Sequence, residues 1–251
     1  MGKIAIVTDS NSGITQAQAE ELGVYVIPMP FYINEKMYLE GVTLTQEEFY
    51  EKLKKDEPIS TSQPSPADLC DLWDKLLRDY EEIVHIPMSS GLSASCSTAM
   101  GLAIDYNGRV QVVDNQRISV TQRQSVMDAK MLAEAGKSAA EITAALEEVR
   151  PKVRASFVVD TLMYLYRGGR CNAVAAMAGS VLKLHPKIVV ENGAMDAAKK
   201  YRGKLHSVVM SYVRDMEAEL KNARPERVFI THSGCDRKIV EDVQAYLQSL
   251  G

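Results

Sequence analysis

Three short segments concentrate hydroxyl side chains: Thr8-Asp9-Ser10-Asn11-Ser12, Ser60-Thr61-Ser62-Gln63-Pro64-Ser65 and Ser89-Ser90-Gly91-Leu92-Ser93. The last two run into segments with helical spacing, where free backbone N–H groups and the helix dipole favour a negative group. Ser and Thr add donors there without bringing charge, so together these loops suit one carboxylate or phosphate. Hydroxyls also cap helices and make turns. Ser65, followed by Pro66, reads as such a cap, whereas Thr61 and Ser62 lie upstream of what the cap needs and keep their hydroxyls spare.

A second chemistry competes for the same residues. Gly91-Leu92-Ser93-Ala94-Ser95 fits the nucleophile elbow of serine hydrolases except for its final Gly, and His232, after the apolar run Val228–Thr231, is the one His placed to act as a base. No acidic partner for His232 is evident. Asp9 after a strand has the setting of a phosphatase nucleophile, but Asn11 stands where that chemistry wants a second carboxylate, so Asp9 reads as an organiser of neighbouring hydroxyls and N–H groups. The dinucleotide and P-loop glycine patterns are absent. Cys70, Cys96, Cys171 and Cys235 form no C-x-x-C pair and have no His at ligand spacing, so they read as small core hydrophobes and no metal site is expected. Arg167-Gly168-Gly169-Arg170 and Lys199-Lys200-Tyr201-Arg202 are basic clusters of the kind that is commonly solvated surface, but the Gly pair flanked by two Arg leaves guanidinium forks presentable to a phosphate or an acidic partner.

The elements that must position these groups follow from periodicity. Ile4–Val7 reads as a strand, Thr15-Gln16-Ala17-Gln18 as a capping box, Val24 to Pro30 as a second strand, and Thr45–Glu48 as another capping box. Leu69, Leu72, Trp73, Leu76 and Leu77 form the apolar stripe of a helix begun at Ser65. Strands are expected over Glu82–Met88 and Val110–Val113, with helices from about Ser93 and from Ser138. Strands alternating with amphipathic helices predict an α/β domain over 1–150 with a mostly parallel sheet covered on both faces. A second α/β domain is expected over 151–251, with a strand to Val159, a helix at Leu162–Tyr166, a helix at Ala173–Leu182, strands near Ile188–Val190 and Val228–Thr231, and two more helices. At 251 residues, 46% hydrophobic, the chain is long enough for both cores. The balance of 29 basic and 33 acidic residues, net −4, opposes a phosphate backbone, so no nucleic-acid partner is expected. The absence of a leader pattern or a long apolar run predicts a cytoplasmic protein without stable membrane insertion.

These residues resemble the DegV family, which includes the fatty-acid-binding subunits of bacterial fatty acid kinase. The landmarks are Ile6-Val7-Thr8-Asp9-Ser10, Thr61-Ser62-Gln63-Pro64-Ser65, Ser89-Ser90-Gly91-Leu92-Ser93, Asp160-Thr161-Leu162 with Gly168-Gly169-Arg170, and Leu182-Lys183-Leu184-His185-Pro186. The resemblance implies an N-terminal α/β/α domain, a C-terminal α/β domain, and a long-chain fatty acid buried between them as the only ligand, with no cofactor. It implies that Thr61 and Ser93, with Ser62 beside them, hydrogen-bond the carboxylate, and that Arg170 and Arg202 meet an ATP-dependent kinase subunit that makes acyl-phosphate for phospholipid synthesis. The protein would then be non-catalytic; the alternative is a serine hydrolase or acyltransferase with Ser93 as nucleophile. Ala173–Gly179, Met29, Phe31 and Ile33 read as tunnel wall or, taken one by one, as ordinary core. The family pattern continues past the final helix into a strand and a His-bearing Gly-Pro-Gly loop that completes the carboxylate network; neither is present before Gly251.

Overall fold

A computed structural model describes residues 3–170 and 184–250. Its contacts divide the chain into two compact units, the first comprising the chain through Val153 together with Asn192–Ala194, the second Arg154–Glu191 with the chain from Met195 on. Among the described residues no helix is long and apolar enough to cross a membrane.

The first unit is built on a four-stranded parallel sheet. Strand β1 (Ile4–Asp9) pairs in parallel with β2 (Tyr25–Ile27) on one side and β6 (Glu82–Ile86) on the other, and β7 (Val110–Val112) pairs with β6, giving the order β2-β1-β6-β7. The twofold alternation of a strand decides what each face buries. Ile6, Val84 and Ile86 point to one face, where α1 (Gln16–Leu22), α5 (Val120–Glu134) and α6 (Ala139–Val149) close over them with Ala19, Val126, Ile142 and Leu146. Ala5, Val7 and Ile83 point to the other, covered by α3 (Pro66–Leu76) through Leu69, Trp73 and Leu76, and by α4 (Ser95–Ala103) through Ala99. Both faces are therefore dry, which is why these strands read as continuous apolar runs.

A smaller antiparallel sheet, in the order β4-β3-β5, lies in the same unit: β3 (Pro30–Ile33), β4 (Lys36–Leu39) and β5 (Ile59–Thr61), with α2 (Gln46–Lys54) between the last two in sequence. The single strand expected over Val24–Pro30 is thus two strands in two sheets, separated by Pro28 and Met29. Proline has no N–H to give a ladder and sets the bend. Strand β6 stops at Ile86 rather than Met88, because Pro87 follows and the Met88 N–H is taken by the Asp9 side chain.

In the second unit β8 (Ala155–Val158) pairs antiparallel with β9 (Leu184–Glu191), which is flanked on its other side by β10 (Ala194–Arg202). Helix α7 (Met163–Gly168) ends on Gly169, whose positive φ of 67° lets its N–H reach back to the carbonyls of Leu165 and Tyr166. Helix α8 (Leu205–Asp215) packs against α10 (Arg237–Gln248) through Val213, Ile239 and Val243, and a short α9 (Glu217–Leu220) lies between them in sequence. The expected strand Val228–Thr231 does not form: this run is exposed and irregular, since a β-branched pattern makes a strand only where another strand pairs with it. The helix expected at Ala173–Leu182, Cys171 and the Leu182-Lys183 part of the last landmark lie outside the described residues.

Candidate functional site

The hydroxyl segments gather at the carboxyl end of the parallel sheet, and Asp9 is the tie. Its side chain is 1% exposed and accepts hydrogen bonds from Met88 N at 2.7 Å, from Asn11 N and Nδ2 at 3.0 Å each, and from Gln122 Nε2 at 3.1 Å. Burial raises the Asp9 carboxyl above the usual range, and those four donors pull it back toward ionisation. A carboxyl group so bonded, with three of the four donors on Oδ1 and one on Oδ2, joins the end of β1 to the end of β6 and to α5. Glu40 is raised in the same way by burial, against the Ser10 hydroxyl that donates to it at 2.6 Å.

Most hydroxyls of these segments spend their proton locally. Thr8 donates to the Ile86 carbonyl at 2.7 Å, Ser12 to the Asp9 carbonyl at 2.8 Å, Ser65 to Asp68 at 2.6 Å and Ser90 to Asp114 at 2.5 Å. Ser89 donates at 2.6 Å to the carbonyl of Gly193, within the first unit, and accepts from Gly91 N at 3.2 Å. Ser62 is exposed and donates to the Gln63 carbonyl at 3.2 Å. Thr61 and Ser93 differ. The exposed Thr61 hydroxyl, like that of Ser60 beside it, has no partner among the described residues, and that of Ser93 accepts from Ser95 N at 3.2 Å while donating to none of them.

The elements explain why. Thr61 is not in a loop but closes β5, directly opposite Phe31 in the antiparallel register, so both side chains stand on one face with Ile33 and Ile59 two residues along. Phe31 packs against Phe49 and Tyr38 with centroids 5.6 and 5.7 Å away, and Met29, Phe31 and Ile33 are buried. One donor thus ends an apolar row. Ser93 precedes α4, which begins at Ser95 rather than Ser93; the N-cap, Ala94, has no side-chain oxygen to offer, and the Ser93 hydroxyl takes the Ser95 N–H in its place. The two segments are joined by Thr98 of α4, whose hydroxyl donates to Gln63 Oε1 at 3.1 Å.

The remaining sequence candidates lie in the second unit or are inert. Arg170 is exposed and its guanidinium donates to the Gly168 carbonyl at 2.5 Å; Arg202 is exposed at the end of β10. His232 sits in the irregular exposed stretch after Thr231. Cys96 is buried, and burial pushes its thiol up to about 12. Sequence reasoning missed Gln122, which donates to Asp9, Thr8 and the Ile86 carbonyl from the first turn of α5. No local pattern marks a buried glutamine whose partners lie 36 to 114 residues away.

Residues 3–251 match the DegV family of uncharacterised proteins. Protein DegV of Bacillus subtilis (strain 168) is 31% identical over 248 residues, which cover 96% of this chain and 88% of that protein. A DegV family protein from Thermus thermophilus, described with its fatty acid binding, matches in structure with a TM-score of 0.81 at 27% identity over 99% of this chain and 89% of its own. DegV from Bacillus subtilis, described as a fatty acid binding protein, matches with a TM-score of 0.79 at 29% identity over 98% and 89%. With the α/β fold shared along nearly its whole length, the chain belongs to the DegV family.

Proposed function

We propose that this protein binds a long-chain fatty acid, holds its carboxylate with the Thr61 and Ser93 hydroxyls beside Ser62, and presents it to an ATP-dependent kinase. The kinase would transfer the terminal phosphoryl group of ATP to a carboxylate oxygen, giving an acyl-phosphate for phospholipid synthesis and ADP; the protein itself is the non-catalytic binding partner. The observation that carries this reading is the hydroxyl inventory: Thr61 and Ser93 keep an undirected O–H while most of their neighbours spend theirs on protein acceptors. The start of α4, whose N-cap Ala94 offers no side-chain oxygen, adds N–H groups and dipole beside Ser93, and the Phe31 row supplies apolar surface next to Thr61. The fatty-acid binding of the Thermus thermophilus and Bacillus subtilis relatives supports the same assignment.

The energetics divide the labour. Burying a tail of about 16 carbons at about 0.8 kcal/mol per CH₂ yields on the order of 12 kcal/mol gross, against about 1.5–3 kcal/mol for each hydrogen bond to a charged head. The tail sets affinity and the hydroxyls set where the reacting oxygen stands. Native mass spectrometry of purified protein, followed by solvent extraction, is expected to release a stoichiometric fatty acid. Thr61→Ala and Ser93→Ala are each expected to weaken binding roughly tenfold and to slow kinase-dependent phosphorylation further. A protein that takes up no fatty acid, or variants indistinguishable from wild type in both assays, would overturn the assignment.

A further inference from the structure

Beneath the hydroxyl segments the first unit contains a small cavity walled by Ile27, Pro64, Leu69 and Pro87 and carrying the side chains of Asp9, His85 and Ser95. It leaves about 10 Å³ in which a water molecule could be centred, about the room that one water requires. Two polar atoms of the residues that line it, His85 Nε2 and Ser95 Oγ, have no hydrogen-bond partner among the described residues, although His85 is 2% exposed and Ser95 8%. Leaving such groups unpaired forfeits the hydration they have in the unfolded chain.

The ring chemistry of His85 is determined by its other nitrogen. Trp73 Nε1–H, which can only donate, lies 3.2 Å from His85 Nδ1, so Nδ1 is the acceptor and the ring proton resides on Nε2. The indole also packs edge-on against the imidazole, with centroids 5.5 Å apart, which fixes the ring plane. Complete burial lowers the imidazole pKa to about 3, so the ring stays neutral. His85 Nε2 therefore enters the cavity as an N–H donor, Ser95 Oγ as a group able to give or take, and Asp9 as an acceptor.

We propose that this cavity is a binding site for one water molecule, which accepts from His85 Nε2–H, shares a hydrogen bond with Ser95 Oγ and donates to the Asp9 carboxyl group. That satisfies both orphaned atoms and gives the water three polar partners, the usual number for a buried one. It also makes a continuous path of hydrogen bonds from Trp73 in α3, through His85 and the water, to Ser95, whose N–H holds the Ser93 oxygen at 3.2 Å. Resting on the fatty-acid reading, Ser95 is then a positioning residue: the water fixes the first turn of α4 and so the direction in which Ser93 offers its proton.

The test uses the full chain stripped of lipid, labelled with ¹⁵N. The His85 ring is expected to show one protonated nitrogen, Nε2, unchanged between pH 5 and 8, and both its N–H and the Ser95 amide are expected to show cross-relaxation with water of the sign a bound molecule gives rather than chemical exchange. His85→Leu is expected to abolish the Ser95 cross-peak and His85→Gln, which keeps an N–H near Nε2, to retain it. A His85 N–H without water cross-relaxation in wild-type protein means a dry cavity and overturns the site, whether or not the Leu variant folds. The positioning role is read separately with a carboxyl-¹³C fatty acid. Ser95→Ala should shift its carboxyl resonance while leaving tail binding intact, and an unmoved resonance would overturn that role. Water seen in a protein that takes no fatty acid would leave the site standing and remove only its link to Ser93.

Discussion

At the scale of single residues, His85 and Asp9 share a cavity and carry opposite pH signatures. His85 falls from 6.5 to about 3 by burial, so the unfolded chain binds a proton there that the folded protein refuses. Its contribution to stability is complete above pH 6.5 and is lost as pH falls toward 3, up to about 5 kcal/mol at 1.36 kcal/mol per pH unit. Asp9, raised above 3.8 by burial, works in the other sense: its contribution is present below its unfolded value and lost as pH rises through the folded one. Acid sensitivity between pH 6.5 and 4 is therefore assigned to His85. Urea titrations at half-unit pH steps should show a steep loss of stability for wild type and a flatter profile for His85→Gln; equal slopes would show that the histidine is not buried neutral. The roles of these residues were unequally legible. The spare position of Thr61 and Ser62 can be read from the chain, because a cap needs only Ser65. What separates Thr61 from Ser62, a strand end against a local bond to Gln63, depends on a register that sequence does not contain.

Among the elements, those whose start is written in local chemistry were readable and those made by distant pairing were not. Thr15, Thr45 and Ser138 cap their helices with reciprocal Gln or Glu bonds, and Ser65 caps α3 ahead of Pro66. Helix α5 escaped notice because it begins without a side-chain cap, after Ser119 at φ 59°. Hairpin β3–β4 turns on Asn34-Glu35, both at positive φ, and the Glu disguises a turn usually marked by Gly. Asn192-Gly193, between β9 and β10, is the plain form of that signal. The Gly193 turn also explains Gly91, on the segment leading to Ser93. A Cβ on Gly91 would stand 2.5 Å from the Gly193 carbonyl oxygen, so the backbone must shift, and the Ser89 bond to that same oxygen shifts with it. Gly91→Ala is expected to cost about 1–3 kcal/mol in denaturant unfolding, the range of overpacking in a filled site, and to lower fatty-acid phosphorylation more than fatty-acid uptake. A variant as stable as wild type would mean that the 89–93 segment is not held at Gly193.

For the whole molecule the relevant quantity is charge set against its distribution. The chain carries a net −4, yet the second unit exposes Arg170 after α7 and Arg202 at the end of β10, neither within any apolar cluster of that unit. Lys199 of the same strand as Arg202 is held by Asp215 at 2.5 Å, which is itself kept below the usual carboxylate range by that lysine and by Tyr201. Exposed arginines contribute little to folding but steer encounters, and their effect is felt in association rate and salt dependence. The fatty-acid assignment puts the tail and the hydroxyls to work on the lipid, leaving recognition of the kinase to surface groups of this kind. Reversing both charges, Arg170→Glu with Arg202→Glu, is then expected to leave fatty-acid content and thermal unfolding unchanged. Phosphorylation by the kinase should slow at low salt, and the dependence of its rate on ionic strength should flatten as the steering field is removed. Fatty-acid content serves as the internal control, because a variant that loses lipid has been damaged in binding and not in docking. An unaltered rate and salt slope in a lipid-loaded variant would place the kinase elsewhere on the surface and leave Arg170 and Arg202 as solvated side chains of an edge strand and a loop.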